Sequence, residues 1–205
     1  MNGHECYIIG AGDFFGLREA PDDSDYVIAA DAGFEYCTEN CIIPDLVLGD
    51  FDSLGKAPKH PNVLQLPVEK DDTDTVFAAK TAIERGYDEF VLLGAAGGRL
   101  DHTLCNVSIL LYLFERGMHA VLADDFSEME IVGRDEKQVD TSFSYFSLLS
   151  IGGEAHGVSV TGAKYPLDNA KIQCDYQYGV SNEVSGDNPA RVSCAQGRLL
   201  LIKVR

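Results

Sequence analysis

Positive charge is scarce in this chain. Sixteen Lys and Arg stand against thirty-three Asp and Glu in 205 residues, a formal charge of −17. Such a surface repels nucleic acid and anionic membrane, so neither is expected as a partner. Most of the acidic excess reads as a solvated face, and a polyanionic ligand would need local basic groups or metal ions to enter. Long apolar runs are also lacking. Hydrophobic residues make up 45% of the chain, ample for a core, but no run approaches membrane-spanning length. The opening MNGHECYIIG has neither a basic segment nor a signal-length apolar stretch, so no export signal is expected and the location is expected to be cytoplasmic. Disulfide-framework spacing is absent too. The six cysteines, at 6, 37, 41, 105, 174 and 194, are scattered, which fits reduced thiols. Cys37 and Cys41 lie one helical turn apart, but no second close pair completes a zinc set, and both are expected to be buried structural residues. Neither the GK[ST] ending of a P-loop nor the nucleophile elbow of a serine hydrolase occurs.

What is present is an alternation of two textures. Over the first 125 or so residues, CYIIGAG (6–12), YVIAADAG (26–33), DLVLGD (45–50), NVLQLP (62–67), EFVLLGAAG (89–97) and HAVLAD (119–124) are expected to be strands with their following turns. DTDTVFAAKTAIERG and DHTLCNVSILLYLFERG between them carry apolar residues at helical spacing, with Asp72 and Asp101 as expected N-caps and Gly86 and Gly117 at the helix ends. Nearly continuous apolar strands interleaved with helices imply a parallel sheet covered on both faces. After residue 127 short strand-like pieces follow one another between Gly, Asn, Asp and Pro, which implies an all-β domain, a small sandwich or barrel. The stretch GRDEKQVD (133–140) is expected to be an exposed turn near the junction. The expected division is an α/β domain over 1–127 and an all-β domain over 128–205.

In parallel sheets ligands bind beyond the C-terminal ends of the strands. Here those ends collect Gly10 and Gly12, Asp31, Asp50 with Asp52 and the hydroxyl of Ser53, and the run Gly94 to Arg99. KDDTDT (70–75) adds Asp71, Asp72 and Asp74. On an extended backbone Asp50 and Asp52 share a face, with Cα atoms roughly 6–7 Å apart. Two such charges repel unless something cationic sits between them. Asp72 or Asp74 could serve only a helix N-terminus, and Gly97-Gly98 could make only a turn, but neither reading accounts for Asp50 and Asp52. Acids and a glycine-rich turn beside Arg99, all at one sheet edge, suit a metal–phosphate site. GAGDFFG, followed by Asp31 about twenty residues on, imitates a dinucleotide fingerprint. Its third glycine is displaced, however: Phe stands at 15 and Gly at 16. His102, beside Asp101, is placed to approach a ligand.

GDFDS (49–53), KDDTDT (70–75), GGRLDH (97–102), TGAKYPL (161–167) and VSNEV (180–184), in this order over nearly the whole chain, resemble the thiamine pyrophosphokinase family. The resemblance implies a Rossmann-like α/β catalytic domain followed by a β-sandwich domain, in a homodimer. It implies transfer of a diphosphate from ATP to the hydroxyl of thiamine with release of AMP, and Mg²⁺ as cofactor. By motif position, Asp50, Asp52 and Asp74 would be the metal-binding and catalytic carboxylates, with Asp31 nearby. Asp31, Gly97, Gly98, Arg99 and Asp101 would meet the nucleotide. Tyr165, Ser181 and Asn182 would bind thiamine at the dimer interface. On this reading a metal ion answers the repulsion of the acidic pair. The alternatives are a non-catalytic nucleotide-binding sensor and an NAD-dependent oxidoreductase.

Overall fold

Six of the apolar runs form strands: β1 (Cys6–Ile9), β2 (Tyr26–Ala30), β3 (Leu46–Gly49), β4 (Val63–Gln65), β5 (Glu89–Leu93) and β6 (His119–Ala123). They come from a computed structural model that describes residues 5–12, 20–52, 55–176 and 178–205. The chain divides into two units, 1–125 and 126–205. In the first, the strands lie in the order β6-β5-β1-β2-β3-β4, and every neighbouring pair is parallel. Tyr7, Ile9, Val27, Ala29, Val47, Val91 and Leu93 share one core cluster with Cys37 and Phe51. Alternating with them, Ile8, Ile28, Leu48 and Leu92 are also buried. Burial of both side-chain sets is why these strands read as continuous apolar runs rather than alternating ones.

Among the described residues three helices cross between the strands: α1 (Gly33–Glu39), α2 (Asp74–Glu84) and α3 (Leu100–Phe114). The sequence pattern points to the second and third. Seven residues are too few for α1 to show a helical period, and it forms because Cys37, with Phe34 and Tyr36, packs on the core. Cys41 lies beyond the end of α1 at φ +58° and is exposed, so of the expected buried pair only Cys37 is in the core. The caps also differ from expectation. Thr73, not Asp72, caps α2, accepting from the Val76 N–H at 3.4 Å. Asp72 instead pairs with Lys80 at 2.5 Å. The N-cap position of α3 is Arg99, with Asp101 in the first turn. Gly86 and Gly117, both at positive φ, follow the two helix ends as expected.

The second unit holds β7 (Ser127–Val132), β8 (Lys137–Val139), β9 (Tyr145–Ser150), β10 (Ala155–Thr161), β11 (Leu167–Ile172), β12 (Gly179–Asn182), β13 (Ala190–Gln196) and β14 (Leu199–Val204). Two antiparallel arrays form, β12-β9-β14-β7 and β11-β10-β13-β8. One core draws on both, with Val132, Phe146, Leu148, Leu199 and Leu201 from the first and Val139, Val158, Ile172, Val192 and Cys194 from the second. The expected turn at 133–140 is therefore in part strand. Lys137–Val139 pairs with β13 and buries Val139 completely, a three-residue contribution too short to stand out among charges. No helix among the described residues is long and apolar enough to cross a membrane.

Candidate active site

The strand order reverses at β1, whose neighbours are β2 on one side and β5 on the other. That is where an open parallel sheet offers a crevice beyond its strand ends. Two glycine-bearing ends meet there backbone to backbone. A Cβ on Gly10 would stand 2.7 Å from the Gly94 carbonyl oxygen, and one on Gly12 2.5 Å from that of Ala96. No other residue type fits such an approach. Beside them opens a cavity of about 580 Å³, lined by Gly12, Asp31, Asp50, Asp52, Lys70, Asp72, Asp74, the run Gly94 to Arg99, His102 and Asn106.

The acidic pair converges by a route other than an extended strand. β3 ends at Gly49, and Phe51 takes φ +60° with its ring only 2% exposed in the core. The Asp52 N–H donates to Asp50 Oδ1 at 3.2 Å. Burying the Phe51 ring turns the flanking carboxylates outward together. Asp31, at φ +50°, joins them from the end of β2, where its N–H donates to the Leu48 carbonyl at 2.8 Å. One oxygen each from Asp31, Asp50 and Asp52 lies within 4.8 Å of the others. Oxygens bound to one octahedral Mg²⁺ at about 2.1 Å stand roughly 3–4 Å apart, so this all-oxygen set suits a small hard divalent cation with slight closure.

Asp74 stands on the opposite flank, and between the flanks lies a residue to which the sequence reading gave no role. Lys70 Nζ is 2.6 Å from Asp50 Oδ2 and 3.0 Å from Asp74 Oδ1. The hydrogen bond from Lys70 holds Asp50 below the usual carboxylate range against the opposing effect of burial. Burial raises Asp74, and Lys70 only partly offsets it. Burial pulls the Lys70 ammonium down, but its hydrogen bonds to the two carboxylates outweigh that and leave it above its ordinary value. The spacing of Lys70 and Asp74 and the need to neutralise clustered carboxylates were the available signals.

The remaining expected residues fall in two places. Gly97, Gly98 and Arg99 line the cavity, the glycines at φ +82° and +52°. Arg99 grips Asp101 through two contacts, Nε to Oδ1 at 3.2 Å and Nη2 to Oδ2 at 2.6 Å, which holds the exposed Asp101 carboxyl at about 2. Asp101 itself is not in the lining, and Asp71 is exposed outside it. Tyr165, Ser181 and Asn182 come together in the second unit. Asn182 Oδ1 accepts from the Tyr165 N–H at 3.0 Å and the Glu183 N–H at 2.9 Å, and its Nδ2 donates to the Tyr165 carbonyl at 2.8 Å. Asn182 is thus a buried clamp on the backbone of Tyr165, whose ring is 58% exposed beside it. Ser181, at φ +57°, is exposed, and its N–H donates to Ser147 Oγ at 3.1 Å. Ser53, and with it the Phe15 and Gly16 of the imperfect dinucleotide fingerprint, lie outside the described residues.

The family described as "Thiamin pyrophosphokinase, catalytic domain" matches residues 17–122, and "Thiamin pyrophosphokinase, vitamin B1 binding domain" matches residues 130–199. The thiamine pyrophosphokinase of Bacillus subtilis (strain 168) is 28% identical over 190 residues, covering 89% of this chain and 88% of the relative. A crystal structure of thiamine pyrophosphokinase from Bacillus subtilis superposes with a TM-score of 0.88 at 27% identity, covering 98% of each chain. The thiamin pyrophosphokinase structure from Geobacillus thermodenitrificans gives 0.85 at 26% identity, covering 98% of this chain and 97% of that one.

Proposed function

The chain belongs to the thiamin pyrophosphokinase family, and from that premise we infer how its residues carry the reaction. It is an enzyme that moves the diphosphate of ATP onto the hydroxyl of thiamine, forming thiamine diphosphate and AMP. This membership sets aside the dinucleotide-oxidoreductase and non-catalytic sensor alternatives. The assignment of the site rests on one observation above the rest, the convergence of Asp31, Asp50 and Asp52 oxygens in the cavity that the 94–99 turn also lines.

Asp50, Asp52 and Asp74 are the proposed catalytic and Mg²⁺-holding carboxylates, with Asp31 completing the set. When bound there, Mg²⁺ supplies positive charge against the phosphate oxygens as the thiamine hydroxyl attacks the β-phosphorus. Lys70 stabilises the Asp50 carboxylate, offsets part of the effect of burial on Asp74 and holds both in place through its two short contacts. A carboxylate of this set accepts the hydroxyl proton. Gly97, Gly98 and Arg99 meet the nucleotide phosphates, and Asp101 orients the Arg99 guanidinium through its two contacts. In the second unit Ser181 and the exposed Tyr165 ring form the thiamine-binding segment, and Asn182 holds that segment in shape through its three backbone contacts. In this reading 1–127 is a Rossmann-like catalytic domain for ATP and Mg²⁺, and 128–205 is a β-sandwich that binds thiamine. The enzyme is a cytoplasmic homodimer.

The test is the bond broken. Attack at the β-phosphorus yields AMP and thiamine diphosphate, which chromatography of the products of ATP, Mg²⁺ and thiamine will show. Stoichiometric ADP with thiamine monophosphate overturns the assignment.

A further inference from the structure

We propose that Asn106 is a positioning residue for the nucleotide, fixing through the Ala95 carbonyl the glycine turn that meets the phosphates. The proposal rests on the reading of 97–99 given above. Three successive carbonyls leading into that turn have partners. The Gly10 N–H donates to Leu93 O at 2.8 Å and the Gly12 N–H to Gly94 O at 2.6 Å. Asn106 Nδ2, from the second turn of α3, donates to Ala95 O at 2.7 Å. The first two ties are backbone to backbone, whereas the third depends on one side chain.

A peptide unit is planar, so fixing the Ala95 carbonyl also fixes the Ala96 N–H on the other edge of the same plane. From there the chain enters Gly97 and Gly98, both at positive φ. Glycine is the backbone with the widest choice of conformations, so the geometry of this pair is inherited from what precedes it. Asn106 is 7% exposed and also lines the cavity. The plainer role for such a residue is to satisfy a buried carbonyl where a helix packs on a strand. That role lowers stability when the residue is lost but does not single out one substrate.

The experiment is steady-state kinetics on Asn106→Asp, which keeps the size of the side chain but presents oxygen instead of an N–H to Ala95 O. Misplacing the turn should raise the KM for ATP by about tenfold or more. The KM for thiamine should stay within about twofold of wild type. Asn106→Ser, too short to reach Ala95, carries the same expectation, and melting curves record the folded state of both variants. Arg99→Met separates the two layers of the argument. If Arg99→Met leaves the KM for ATP unchanged, the phosphate reading of the turn itself fails. If Arg99→Met raises that KM while a folded Asn106 variant does not, only the role of Asn106 fails. If both Asn106 variants fail to fold, or both KM values move together, the residue is structural and the proposal is overturned.

Discussion

Phe51 sits at φ +60°, a backbone region that a bulky side chain resists, at a cost on the order of 1–3 kcal/mol. Its buried ring holds it there, and the same turn brings Asp50 and Asp52 to one side. Asp52 is the more exposed of the pair and the simplest to test. Asp52→Asn keeps the shape and removes one charge from the cluster, so metal-dependent turnover should fall by roughly a thousandfold, the equivalent of several kcal/mol of lost charge stabilisation. Melting in metal-free buffer should be no lower than wild type, because like-charge repulsion is relieved. Near-normal turnover at saturating Mg²⁺ would remove Asp52 from the site. The cysteines divide as cleanly. Burial pushes the Cys6 and Cys37 thiols up to about 12 and raises Cys194, while Cys41, Cys105 and Cys174 are exposed. At pH 8 a thiol reagent should label three cysteines in the folded protein and six after denaturation, as counted by mass. The buried thiols also set an alkaline limit. The unfolded chain loses these protons from about pH 9 upward, whereas the folded chain keeps them to about 12. Their contribution is therefore whole below 9 and is lost as pH rises through that window.

At the scale of elements, legibility followed length and burial. β1, β2, β3 and β5 announce themselves because both faces are covered, and α2 and α3 because 11 and 15 residues display a helical period. α1, β7 and β8 did not, being short or mixed with charge, and packing alone decides them. The start of α2 shows how competing partners overrule a local rule. Asp72 has the chemistry of a cap, but Lys80 takes it, and Thr73 caps instead. Thr73→Ala should thus cost about 0.5–1 kcal/mol in urea unfolding, the low end for a cap because the 3.4 Å contact is long. Asp72→Ala should cost less, since its partner is an exposed lysine. The reverse ranking would return the cap to Asp72.

For the whole molecule, the homodimer we propose puts two copies of the chain in one enzyme, with thiamine bound between copies. Sedimentation should then give about twice the 22.3 kDa chain mass. Asp50→Asn and Asn182→Ala should each be inactive alone. In a two-fold assembly with shared sites, a mixed dimer gathers both lesions in one site and leaves the other intact. Random mixing makes half the dimers mixed, so activity should return to about one quarter of wild type. No recovery, with mixed dimers confirmed by mass, rules the shared site out.

Local residue order already decides which chemistry this chain can host. Acids at the ends of β2 and β3, a second acidic run before α2 and a glycine pair beside Arg99 are local features, and strand–helix alternation places them at one edge of a parallel sheet. It could not determine which groups touch, because that depends on turns and on partners distant along the chain. The outward pairing of Asp50 and Asp52 required the Phe51 ring to find its core. Lys70 was legible as a residue, but its place between Asp50 and Asp74 required the ends of β3 and α2 to be brought together. Asn182 reads as a ligand contact in a motif and acts as a clamp on Tyr165 once β12 is folded. A buried polar side chain must find its hydrogen-bond partners wherever the fold brings them, and only the tertiary structure decides where that is.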